Sequence, residues 1–218
     1  MKEIIVYLLN PKERITGDRT FLEFVYTICL LLLSGFVGFI LMYVVRQSND
    51  FELVNAQENP GMPLWFIILV PPLLEEIAFR LSLRRKKLFV FISLSTIFWF
   101  VFSKLISGAI YCSDYFLMRF AVSIITGAIV TILTWSKVQS IKYSTYFYAF
   151  AIFFGMTHLM NYSIFSSSSI CYLFFTVVVL TKTFDGAIYG FIRIRYNFYM
   201  AVFIHAFHNL PLVLLAYS

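Results

Sequence analysis

Charge is what this sequence has least of. Only 13% of its 218 residues are Asp, Glu, Lys or Arg, against 61% apolar, and the mean hydropathy is +0.84. Such a chain cannot cover a soluble globular domain with polar side chains, so a soluble fold is excluded. Cysteine is also scarce: Cys29, Cys112 and Cys171 are odd in number and widely spaced, which excludes a disulfide framework and a CxxC metal or redox motif. There is no glycine-rich phosphate loop, no GxSxG turn to raise a nucleophilic serine, no HExxH zinc signature and no internal repeat.

Long apolar runs fill the chain instead. Hydropathy predicts an all-α fold, a polytopic transmembrane helix bundle of about seven spans near residues 21–45, 62–82, 88–110, 115–135, 145–165, 168–190 and 198–217. Residues 1–20 read as a cytoplasmic N-terminal extension, because their apolar core ends at Asn10-Pro11 and is too short for a signal peptide. Residues 21–218 read as one transmembrane domain. With the N-terminus cytoplasmic, twelve of the seventeen basic residues fall on the inner side, among them Arg84, Arg85, Lys86, Lys87, Lys137, Lys142, Arg193 and Arg195. The positive-inside rule therefore sets the orientation of an integral protein of the cell membrane. Because these residues lie in short connections, the net charge of +6 points to the headgroups of the lipid bilayer and not to nucleic acid.

Against this background the segment PPLLEEIAFR, residues 71–80, is anomalous. Pro71 and Pro72 predict a kink or break in the second span. Glu76 and Arg80, four residues apart, share a helix face and are expected to pair, which leaves Glu75 free to face another element. An intramembrane carboxylate costs roughly 3 kcal/mol on insertion scales, and one arginine neutralises only one of two, so a functional role is the default reading.

All three histidines, His158, His205 and His208, fall in expected spans. Phe154 and His158 are one helical turn apart, as are His205 and Asn209, and His208 reads as a spare. At 1.5 Å per residue, Glu75, His205 and His158 lie roughly 14, 12 and 20 Å from the basic ends of their spans, depths that one cytoplasm-facing pocket can share. A carboxylate with an imidazole can deprotonate water, and an imidazole with a carboxamide can donate to an oxyanion, which together make a peptide hydrolase without a covalent nucleophile. Glu75, His158 and His205 are alternatively a zinc donor set, and zinc is the one cofactor the sequence leaves open.

In order and spacing, EEIAFR (Glu75, Glu76, Arg80), FGMTH (Phe154, His158) and HAFHN (His205, Asn209) resemble the EExxxR, FxxxH and HxxxN motifs of the CAAX protease and bacteriocin-processing family, also called CPBP or Abi. The resemblance covers residues 71–211. It implies an intramembrane endopeptidase in which Glu75 and His158 activate water, His205 and Asn209 form the oxyanion hole, and Glu76, Arg80 and Phe154 support the site. The implied partner is a peptide or membrane-protein substrate. Competing readings are a non-enzymatic membrane scaffold or bacteriocin-immunity protein of the same family, and a small transporter coupled to protons through Glu75 and Glu76. "GAIYG" at 186–190 reads as helix packing, and Lys182 with Asp185 as an internal pair.

Overall fold

The computed structural model describes residues 2–15, 18, 20–46, 51–53, 62–111, 113–164 and 169–217. Cys112, Asp50, Glu58 and most of the serine run at 166–169 lie outside them. The described elements are α1 (Lys2–Leu9), α2 (Phe21–Arg46), β1 (Phe51–Leu53), α3 (Leu64–Phe79), α4 (Lys87–Ser107), α5 (Phe116–Ser140), α6 (Tyr143–Thr157), β2 (Tyr162–Ile164), α7 (Ser169–Arg195) and α8 (Phe198–Tyr217). Short 3₁₀ turns follow α3 and α6. The two three-residue strands pair antiparallel, Phe51 opposite Ile164, and tie the end of α2 to the end of α6.

The chain is an all-helical membrane protein. Among the described residues, four helices are long and apolar enough to cross a bilayer, over Phe21–Ile40, Lys87–Ser107, Phe116–Ser140 and Tyr172–Arg195. The seven full spans expected from hydropathy are therefore corrected. With 16 and 15 residues, α3 and α6 are about 24 and 22 Å long, short of the roughly 30 Å hydrocarbon core. The side chains that close α8 are not among those described. Hydropathy counted apolar residues beyond the ends of α3 and α6 that the backbone spends on turns and a strand.

The expected break at Pro71-Pro72 is also corrected, because α3 runs through both prolines and ends at Phe79. Membrane helices tolerate proline where neighbours pack around it, and Pro72 is buried. The helix stops at Arg80, whose N–H still bonds the Glu76 carbonyl at 3.0 Å. The Ser93 hydroxyl of α4 donates to the Ala78 carbonyl, so a backbone acceptor in the last turn is satisfied by a side chain.

At the centre of the bundle is α7, which packs against α1, α2, α6 and α8. Its buried residues include Ile188, Tyr189, Phe191 and Ile192. The face that α2 turns inward carries Glu23, Thr27, Leu31 and Ser34, at helical spacing, while Leu32, Leu33 and Phe36 point outward. Against α3 lies a hairpin of α4 and α5. Its two helices meet at Gly127, where an added Cβ would come within 2.9 Å of the Ser95 Cα. Gly127→Ala is therefore expected to separate them and cost about 1–3 kcal/mol, read as a lowered unfolding temperature in detergent.

The N-terminal extension is docked onto the bundle. Ile4 and Tyr7 are buried, and the Tyr7 ring meets Phe147 of α6 at 5.5 Å and Phe191 of α7 at 5.2 Å. Arg195, at the end of α7, donates to Glu23 of α2 from Nε and Nη2, each at 2.7 Å. It also reaches Glu3 of α1 at 3.1 Å and the Asp18 carbonyl. One buried guanidinium thus joins three helices.

Candidate active site

Within a turn and a half, the end of α3 carries Glu75, Glu76 and Arg80 into the bundle. Glu76 and Arg80 are fully buried and stand 3.6 Å apart, the i,i+4 pair that the sequence predicts. The Arg80 guanidinium lies over the Phe154 ring, Cζ 3.8 Å from its centroid, and 5.3 Å from that of Tyr189. A cation held between aromatic faces is stabilised without full solvation. Gly186 makes this close approach feasible, since a Cβ there would meet Phe154 at 2.9 Å and the Arg80 Nη2 at 3.3 Å.

Phe154 also organises the histidines. Its ring stands edge-on to His158 at 4.5 Å and to His205 at 6.0 Å. His158 is not in mid-span, as hydropathy implies, but at the C-terminal cap of α6, where the 3₁₀ turn begins. Its Nδ1 is 2.9 Å from the Phe154 carbonyl. A carbonyl only accepts, so Nδ1 carries the proton and in the neutral ring Nε2 is left as an acceptor.

Across the bundle, His205 of α8 meets both carboxylates. Its Nδ1 hydrogen-bonds Glu76 Oε1 at 2.9 Å, and its Nε2 is 3.5 Å from Glu75 Oε2. The imidazole found against Glu75 is thus that of His205, whereas the sequence reading joined Glu75 to His158. Asn209, one turn beyond His205, is half-buried and makes no side-chain hydrogen bond among the described residues. The structure therefore gathers Glu75, Glu76, Arg80, Phe154, His158 and His205, and leaves Asn209 without a link to them. Glu75 Oε2, Glu76 Oε2 and both terminal nitrogens of Arg80 are buried without a hydrogen-bond partner. Unsatisfied polar atoms gathered at one place are characteristic of sites that engage water or ligand.

Tyr189 is a member of this group that sequence reasoning missed. It stacks on His205, centroids 4.3 Å apart and planes 21° apart, and its hydroxyl is 2.6 Å from His208 Nδ1. His208 is therefore a buried partner of Tyr189 and not a spare. The available signal was the aromatic residue inside GAIYG, on a helix face opened by its flanking glycines. Tyr189→Phe keeps the stack but strands the His208 ring nitrogen, and is expected to cost about 1–2 kcal/mol in thermal unfolding. Lys182 and Asp185 pair at 3.4 Å, as expected.

An apolar cavity of about 600 Å³ lies on the other side of α3, between α3, α4 and α5, walled by Val70, Leu74, Phe91, Trp99, Tyr111 and Phe116. None of the expected site residues lines it. For zinc, Glu75, His158 and His205 would have to reach a common point. Among the described residues no three histidine, cysteine or acidic side chains are grouped to hold a metal ion.

Comparison with family models, with curated proteins and with solved structures finds no match to this chain.

Proposed function

We propose that this protein is an intramembrane endopeptidase of the CPBP type, hydrolysing a peptide bond through water activated by Glu75 and His158. The observation that carries the reading is the meeting of two carboxylates and two imidazoles, from three helices, around the buried Phe154–Arg80 pair. The motif resemblance supplies the roles, and the contacts are compatible with them. Glu75, with a partly exposed side chain and an unsatisfied oxygen, takes a proton from water as that water attacks the carbonyl carbon. His158 offers its Nε2 lone pair to the same water. The resulting oxyanion accepts from Nε2–H of His205 in its imidazolium form, whose Nδ1–H Glu76 holds, and from the Asn209 amide, which must turn toward the pocket when substrate is present. Glu75 then passes its proton to the departing amine as the C–N bond breaks. No step is assigned to a metal ion.

Glu76 and Arg80 act by position. Glu76 fixes His205 through Nδ1 and so aims Nε2 at the reaction centre. In this reading the basic end of the bundle is cytoplasmic, and the substrate is a peptide or membrane-protein tail reached from that side. The test compares the membrane peptidomes of cells carrying the native protein and Glu75→Gln. Fragments present only with the native protein are expected. Identical peptidomes would favour the scaffold or immunity reading.

A further inference from the structure

Arg193 is buried, 7% exposed, in the last turn of α7, and its Nε has no hydrogen-bond partner. Among the described residues no carboxylate forms an ion pair with it, and the Phe198 ring lies 5.3 Å from its Cζ. Beside it is a second arginine. The end of α3 and the turn after it run along α7 in register: Arg80 lies against Gly186, and Leu83 lies 3.3 Å from where a Cβ on Gly190 would stand. Arg84 directly follows Leu83 and closes the 3₁₀ turn that packs against α7, while Arg193 lies one helical turn beyond Gly190, so the register brings the two arginines to the same end of α7. The Arg84 Nε is likewise buried and unpartnered. The neighbouring Arg85 is occupied elsewhere, donating to the Ile141 carbonyl at 2.9 Å and to the Gln139 carbonyl at 3.4 Å, where α5 ends.

Glu76, the carboxylate whose charge also reaches Arg193, is already held by Arg80 and His205, and two arginines brought near each other with no carboxylate of their own favour an anion that joins them. Arg193 is seven residues, about 10 Å, from Gly186 toward the basic end of α7, within a turn of the helix terminus. That is headgroup depth, where Arg forks meet phosphate oxygens. We propose that Arg84 and Arg193 form a binding site for the phosphate of an anionic lipid headgroup, separate from the Glu75 pocket. The bound phosphate supplies the missing counter-charge and clamps the turn after α3 to the end of α7, and with it the segment that carries Glu75 and Glu76.

The test uses the full chain in detergent, titrated with phosphatidylglycerol and followed by native mass spectrometry and thermal unfolding. Native protein is expected to retain one phosphatidylglycerol and to unfold at a higher temperature in its presence. Arg193→Gln and Arg84→Gln are each expected to weaken retention roughly tenfold or more and to abolish the lipid-dependent stabilisation, while Lys87→Gln, an equal change of charge at the exposed start of α4, does neither. Diacylglycerol, which has the chains without the phosphate, is expected not to bind. Equal retention by the arginine variants, equal loss in Lys87→Gln, or equal binding of diacylglycerol would overturn the proposal. So would an adduct with inorganic phosphate alone when phosphatidylglycerol gives none. Arg84→Gln serves if Arg193→Gln does not fold, and neither readout depends on proteolysis.

Discussion

Replacing Glu76 by glutamine is expected to destabilise the protein by about 3–5 kcal/mol, whereas the same change at Glu75 should cost less than about 1 kcal/mol. The two residues are adjacent, but their surroundings differ. Glu76 is fully buried, 3.6 Å from the buried Arg80 and 2.9 Å from His205 Nδ1. Removing its charge strands a guanidinium that has no other carboxylate within ion-pair distance among the described residues. Glu75 has only a 3.5 Å approach to His205 and keeps 23% of its side chain exposed. Thermal unfolding of both variants in one detergent measures the difference. Equal losses would show that the two carboxylates share one structural role and would remove the division of labour between positioning and chemistry.

The second large effect lies at the opposite face of α7. Arg195→Met leaves Glu23 buried without a partner and releases Glu3 and the Asp18 carbonyl, so a loss of about 3–5 kcal/mol is expected. Part of that loss should be local. With Arg195 gone, α1 is held by the packing of Ile4, Tyr7 and Leu8, and amide exchange in residues 2–9 should rise before exchange in α7 does. The double variant Arg195→Met, Glu23→Gln should recover much of the loss, because it removes the orphaned charge. No recovery would mean that Glu23 is not the principal partner of Arg195.

Local spacing was enough to foresee the Glu76–Arg80 pair, the Phe154–His158 contact and the Lys182–Asp185 pair, since each is a matter of helical geometry over three or four residues. The positions of the helices followed from apolar runs. Their lengths did not, because α3 and α6 give way to 3₁₀ turns inside apolar sequence, where hydropathy registers no change. The break expected at Pro71-Pro72 does not occur, because packing around a buried Pro72 outweighs the two lost backbone donors. The bond between His205 and Glu76 joins residues 129 positions apart, and no periodicity encodes it. Tyr189, Arg195 and Arg193 were missed for a related reason. Each lies on α7, the helix buried on most sides, where nearly every position is apolar or small and the few polar ones are specified by neighbours distant in sequence.

The most direct test of the proposed chemistry is cleavage by the purified protein in lipid nanodiscs, offered membrane-protein substrates and followed by mass spectrometry of new chain ends. Native protein should generate new ends; Glu75→Gln and His158→Ala, shown to be folded by their unfolding temperatures, should lose roughly 10²-fold or more of the rate. Undiminished cleavage by folded Glu75→Gln would contradict a water-activating role for that carboxylate.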